Sequence, residues 1–343
     1  YARWDAKQMT RADGLVRPPP AALEAIKQHG LSKRSFSPTA LQNFAACPYR
    51  FLLSAVHKLA PREETTAIED MDPLTRRSLT HDVLYRLLTE LSEQKQLPIR
   101  AASLEAVRAR LDVVLREIAD EYRDRLSPAI GSVWDDAIAS IGADLREQVR
   151  RMAEETEWTP ANFELSFGLK DRRAQDTKST DEPVTIEGGL QLRGSIDLVE
   201  RSYRGSLRAM DYKTGKVRAT VETVIGGGET LQPVLYALTL EKLFPGTRVE
   251  EGVLYYCTST GDFTKVQVAL DDHARGAAKI LAKTIGDALE IGSLPAAPKL
   301  EKKGSACTWC DFKPVCGPYE EVRTKKKPTE GPLKALAQLR KIK

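Results

Sequence analysis

Between residues 78 and 93 the apolar positions fall at Leu79, Val83, Leu84, Leu87, Leu88 and Leu91. That spacing follows the ~3.6-residue period of a helix with one buried stripe. It predicts a helix over 78–93 with His81 near its start. Two further stripes follow. One runs through Leu104, Val107, Leu111, Val114, Leu115, Ile118 and Tyr122, the other through Trp134, Ile138, Ile141, Leu145 and Val149. Upstream, "SPTALQNFAACPYRFLLSAV" (37–56) opens with Ser37 as an N-cap and Pro38 at the first helical position. Pro48 interrupts that helix, and Cys47 sits at the break.

The period then changes to alternation. "NFELSFGL" (162–169), "VTIEGGLQLRGSIDLVER" (184–201) and "SLRAMDYKTG" (206–215) read as a β-meander with antiparallel pairing. A helix at about 229–243 follows, then two strands, "EGVLYYCTST" (251–260) and "DFTKVQVAL" (262–270), and a helix over 271–291. Residues 294–320 form a cysteine-bearing loop, and 321–343 a basic tail with Lys325, Lys326 and Lys327 in a run. Such a run is most often solvated. Residues 1–35 read as a loose lead-in stiffened by "RPPP" (17–20).

Composition narrows the class. The 343 residues are 41% hydrophobic and 29% charged, ordinary for a globular chain. No apolar run reaches membrane-spanning length, and no secretory signal is visible. With 52 basic and 48 acidic residues the net charge of +4 is too even to imply nucleic-acid binding by itself. Five cysteines suit a reducing cytoplasm with free or metal-bound thiolates better than a disulfide framework. The chain begins at Tyr1 without an initiator Met and reads as part of something longer. It holds no P-loop of the form G-x4-G-K-[ST], so ATP-driven unwinding would need another domain or a partner.

The densest chemistry lies in "GSIDLVERSYRGSLRAMDYKTGK" (194–216). Alternate strand residues share a face, so Asp211 and Lys213 project together. The short connection "RSYRGS" allows antiparallel pairing that brings Asp197 beside Asp211. Both acids sit among apolar strand residues, where an idle carboxylate is costly. Converging carboxylates need a cation or a shared proton. Hard oxygen ligands with open positions suit Mg²⁺ or Mn²⁺. Such a metal activates water and clamps a scissile phosphate, and a nearby lysine neutralises developing charge. The plainer alternative is a solvated hairpin with ordinary surface charges. Glu164, on the preceding strand, is left outside the site.

The segment "CTWCDFKPVC" spaces Cys307, Cys310 and Cys316 as C-x2-C-x5-C. Metal and iron–sulfur centres commonly take four thiolates, so a fourth is sought in Cys47 or Cys257. Cys257 lies in the apolar strand "VLYYCTS", where a buried thiol behaves as a small hydrophobe. Zinc is one occupant of such a set, but a lone cysteine plus a distant triplet is unlike the paired hooks of a zinc ribbon.

Five segments in order resemble a known family: "SPTALQNFAACPYRF" (37–51), "TRRSLTHDVLYRLL" (75–88), the 194–216 stretch, "QPVLYA" (232–237) and the cysteine segment. The set is similar to the PD-(D/E)XK nuclease domain of the RecB/AddB type, in its iron–sulfur-containing branch, over Ser35 to about Pro318. The resemblance implies an α/β nuclease domain over 36–320. A central mixed β-sheet (about 160–270) is flanked by helices, with a helical insertion at about 78–156. It implies that Asp197 and Asp211 bind the metal, that Lys213 is the catalytic lysine and that His81 is a further metal ligand. The backbone carbonyl of Tyr212 would complete the metal shell, and Gln232 and Tyr236 would form the Q-x3-Y pair. It selects Cys47 to join Cys307, Cys310 and Cys316 around a [4Fe–4S] cluster that staples the two ends at 294–320. The implied activity is Mg²⁺- or Mn²⁺-dependent hydrolysis of DNA, as part of a bacterial AddB-like helicase–nuclease that processes double-strand breaks. The partners would be DNA ends and a helicase subunit or domain. Three rivals stay open: a stand-alone single-strand DNA exonuclease of the superfamily, a non-catalytic iron–sulfur scaffold on DNA, and a zinc-stabilised adaptor that binds protein.

Overall fold

The computed structural model describes residues 4, 6–61, 70–170, 176–301, 304–317, 319–327, 329 and 331–343. A short strand, β1 (Gly14–Leu15), and two helices, α1 (Pro20–Lys27) and α2 (Pro38–Ala46), lead the chain. Ser37 caps α2 by accepting from the Ala40 N–H, and Cys47 is extended where Pro48 opens the next turn. Three long helices follow, α3 (Pro73–Glu93), α4 (Leu104–Leu126) and α5 (Gly131–Glu154). The first starts earlier than its apolar stripe implies. Asp72 accepts from the N–H groups of Leu74 and Thr75, and Pro73 takes the first position. His81 is therefore about two turns inside the helix rather than near its start.

A five-stranded sheet follows, in the order β2-β5-β6-β7-β8. Its strands are β2 (Trp158–Phe167), β5 (Gly194–Ser202), β6 (Leu207–Lys213), β7 (Val249–Tyr256) and β8 (Lys265–Ala269). The stretch 184–201 is not one strand. Gly188 and Gly189, both at positive φ, turn β3 (Val184–Ile186) back on β4 (Leu190–Leu192) before β5 begins. Antiparallel pairing holds for β2, β5 and β6, but β6 and β7 are parallel. A parallel neighbour requires a crossover, and α6 (Gln232–Leu243) is that crossover. Gly252 lets the helix lie on β7, because a Cβ there would stand 2.0 Å from the Pro233 carbonyl oxygen. Helices α7 (Asp272–Glu290) and α8 (Pro332–Leu339) complete the layer on that side.

Alternation along the strands decides the layers. Phe163, Leu198, Met210, Val253 and Tyr255 share one core with the stripes of α3, α4 and α5. Leu165, Ile196, Val199, Leu207 and Ala209 share another with α2, α6, α7 and α8. The chain is thus a mixed sheet between helical layers, the α/β class expected. Among the described residues no helix is long and apolar enough to cross a membrane.

The leading segment and the tail depart from the loose ends expected of them. β1 pairs antiparallel with β9 (Leu294–Pro295). Asp13, wholly buried, contacts Arg323 and lies 2.8 Å from the Lys327 ammonium. Lys327, the last of the lysine run, is buried with it. Arg323 also pairs with Glu320. A buried charge needs partners of opposite sign, and here they come from opposite ends of the chain. Farther on, Arg340 donates to the carbonyls of Ala45, Ala46 and Ala297.

Candidate active site

Strand register brings the acids together. Phe163 pairs with Leu198 and Leu165 with Ile196, which sets Glu164 opposite Asp197. Leu198 pairs with Met210, and one step further along the same register Asp197 stands opposite Asp211. Three carboxylates thus lie in a row across β2, β5 and β6, where opposed side chains are neighbours. The helix α3 covers this row and lowers His81 onto it. His81 Nδ1 is 3.4 Å from both Glu164 Oε1 and Asp197 Oδ1. One nitrogen and two carboxylate oxygens from these residues all lie within 4.8 Å of one another. That hard donor set fits a divalent cation such as Mg²⁺ or Mn²⁺.

Each group in the row has a distinct setting. Asp197 Oδ2 accepts the Tyr212 N–H at 2.7 Å. Burial pushes its pKa up, but His81, Arg77 and that N–H outweigh burial and hold it below the usual carboxylate range. Burial also opposes the His81 imidazolium, yet Asp197 and Glu164 raise its pKa to about 10. Asp211 goes the other way. Burial raises it, Asp197 adds repulsion, and Lys213 only partly offsets them. Lys213 Nζ lies 2.5 Å from Asp211 Oδ2, yet that oxygen has no directional hydrogen bond. The contact is one of charge at a poor angle.

The trio that could hold a metal in this geometry is His81, Glu164 and Asp197, with Asp211 turned to Lys213. Glu164 is an addition to the sequence-derived set, because "FELSF" looks like any half-buried strand. The available signal is the register that makes it face Asp197. Its backbone is also unusual, at φ 48 inside a strand. Ser195 Oγ donates to its Oε2 at 2.8 Å. Tyr212 directs its N–H toward β5, and in an antiparallel strand a residue's N–H and C=O face the same neighbour, so its carbonyl faces that side too.

Tyr236 and Gln232 have different surroundings. Tyr236 lines a cleft of about 720 Å³ together with Arg77, His81, Glu164, Arg193 and Asp197. Its ring meets Phe167 edge-on at 6.2 Å. Burial, with Asp211 and Asp197 adding, holds its phenol well above the usual range. Gln232 instead accepts from Gln42 Nε2 at 2.7 Å, which joins the start of α6 to α2.

The cysteines lie in two places. Cys47 is buried at the end of α2 and lies within the electrostatic reach of Cys310, Cys307 and Cys316. Burial first, and neighbouring sulfurs second, push Cys316 up to about 12. The Lys299 N–H, which leads into the cysteine segment, donates to the Ala46 carbonyl at 2.7 Å. Four clustered thiols of this kind are a fit for a metal centre, which would hold them as thiolates. Cys257 is elsewhere, at the end of β7, with its Sγ 3.7 Å from the Lys213 carbonyl.

A model of the PD-(D/E)XK nuclease superfamily matches residues 35–317. The chain belongs to the PD-(D/E)XK nuclease superfamily. Curated relatives include a subunit of the ATP-dependent helicase/deoxyribonuclease of Carboxydothermus hydrogenoformans, 23% identical over 231 residues. That match covers 66% of this chain and 20% of the relative. Another is the CRISPR-associated exonuclease Cas4/endonuclease Cas1 fusion of Myxococcus xanthus, 30% identical over 133 residues, covering 38% of this chain and 22% of the relative. The chain spans about a fifth of the length of each.

Proposed function

We propose that this nuclease domain hydrolyses DNA phosphodiester bonds at the Glu164–Asp197–Asp211 row, as the nuclease part of an AddB-like helicase–nuclease. The observation that carries the reading is the convergence of three strand carboxylates, His81 and Lys213 beside one open cleft. A Mg²⁺ or Mn²⁺ ion would supply Lewis acidity and an activated water. His81, Glu164 and Asp197 would hold it, with Asp211 and the Tyr212 carbonyl completing the shell. Lys213 Nζ would orient the attacking water or offset charge on the phosphoryl oxygens. Tyr236 closes one wall beside the acids. The similarity to a helicase/deoxyribonuclease subunit supports a helicase partner and DNA ends as substrate. The similarity to an exonuclease Cas4 fusion favours a second reading, a stand-alone single-strand DNA exonuclease with the same chemistry.

For the cysteines the reading is a [4Fe–4S] cluster on Cys47, Cys307, Cys310 and Cys316. Burial of Cys47 and its electrostatic coupling to Cys307, Cys310 and Cys316 support a shared centre; iron and zinc analysis of anaerobically purified protein separates the cluster from a zinc ion.

The test is a cleavage assay on single- and double-stranded DNA with and without Mg²⁺ or Mn²⁺. Cleavage should require the metal. Asp211→Ala and Lys213→Ala should each lower kcat by roughly 10²- to 10³-fold while the circular dichroism spectrum stays unchanged. Full activity in either variant would remove the assigned site.

A further inference from the structure

Several arginines and lysines stand near the acid row or on the helices around it, and some are already engaged. Arg86, in the same cleft, is bound by Glu90, Glu117 and Glu121. Arg76 pairs with Asp144, and Lys213 with Asp211. Three arginines that line the cleft differ. Arg77, Arg125 and Arg193 have no carboxylate within 4.0 Å among the described residues.

Their placement is ordered. Arg77 lies one turn before His81 on α3, with its Nε 3.5 Å from His81 Nε2. Its charge is felt at Asp197, Asp211 and Tyr236. Arg193 directly precedes β5, two residues from Ser195, which holds Glu164. Arg125 ends α4 with its guanidinium 4.2 Å over the Tyr122 ring, a stacking contact that fixes its plane. A phosphodiester approaching three carboxylates meets like charge. Guanidinium groups present paired N–H donors that match phosphate oxygens, and these three are not held by a carboxylate among the described residues.

We propose that these three arginines grip the DNA backbone in this cleft: Arg77 takes the phosphate next to the acid row, and Arg193 and Arg125 take neighbouring phosphates. The assignment rests on the nuclease reading and goes beyond the residues of its motifs.

The experiment uses the whole chain with Ca²⁺ in place of Mg²⁺, and a fluorescent oligodeoxythymidylate as probe. Affinity is measured across a salt series for the wild type, Arg77→Ala, Arg125→Ala, Arg193→Ala and Lys283→Ala, the last an exposed control on α7. Each cleft variant should flatten the slope of log K against log[salt] by about 0.7, one phosphate contact on a single strand. Lys283→Ala should leave it unchanged. Arg77→Ala should also lower Mg²⁺-dependent cleavage at least tenfold while its calorimetric Mn²⁺ affinity is not weakened. Arg77→Lys should restore part of the slope. An unchanged slope in Arg77→Ala, or lost Mn²⁺ binding with an unchanged slope, would overturn the phosphate assignment while leaving the nuclease reading standing. A wild-type chain that neither binds nor cuts DNA would overturn both.

Discussion

Glu164 holds φ at 48 in the middle of β2. A residue with a long side chain takes that conformation at a cost of about 1–3 kcal/mol. The cost is tolerated where the carboxylate faces Asp197 and His81. Glu164→Gln should weaken Mn²⁺ binding by about 10- to 100-fold, as changes around metal ligands typically do. Glu164→Gly removes the strain and one of three crowded charges. It is expected to raise the melting temperature while weakening Mn²⁺ binding as well; calorimetry of both properties checks the pair. A variant with stronger metal binding and lower stability would assign Glu164 to structure alone. Asp197, Asp211 and Lys213 are legible in the sequence because two strand faces and one short turn fix them. Glu164 is not, since its role depends on a register between strands whose connection, residues 168–193, carries a separate hairpin.

At the scale of elements, the long helices are the plainest part of the chain. Their stripes of Leu, Val and Ile leave one way to bury them. The helix start at Pro73 escapes the apolar pattern because a cap is a polar signal lying ahead of it. The parallel pairing of β6 with β7 escapes it for a different reason. Alternation reports which face of a strand is buried and says nothing about strand direction. Helix α2 carries the test for the cysteine set. Cys47→Ser should lose iron and lower the melting temperature after anaerobic purification. Cys257→Ser, beside the Lys213 carbonyl, should keep its iron. Equal iron in wild type and Cys47→Ser would remove Cys47 from the ligand set.

At the scale of the whole molecule, the closure around Asp13 makes a pH prediction. Burial raises the Asp13 pKa, but Lys327, Thr10 and Arg323 outweigh it and hold it below its ordinary 3.8. A depressed carboxylate stabilises the folded state above its unfolded pKa, and that contribution fades as pH falls through the folded one. Asp13→Asn should cost about 3–5 kcal/mol near pH 7, the usual effect of breaking a buried ion pair. The gap to the wild type, measured by urea unfolding, should persist down to about pH 4 and narrow below it. A gap independent of pH would mean that Asp13 acts by packing. No local pattern announces this contact, because the Asp13–Arg323 partners are 310 residues apart.

The glycine turn before α6 has a consequence for how the two chemistries are spaced. A Cβ at Gly227 would stand 2.7 Å from the Arg340 carbonyl oxygen, and one at Gly228 would stand 2.4 Å from the Ala45 Cβ. The N–H groups of Val224 and Ile225 donate to the Lys343 carbonyl, and that of Gly227 to Ile342. Three stretches of main chain therefore touch without a methyl group of slack between them. One leads to Cys47, one to Tyr236, and the third is the tail that Arg340 ties to both Ala46 and Ala297. A joint with no free play transmits displacement instead of absorbing it. The joint therefore fixes α6, which carries Tyr236 in the wall of the cleft, against the segment that carries Cys47.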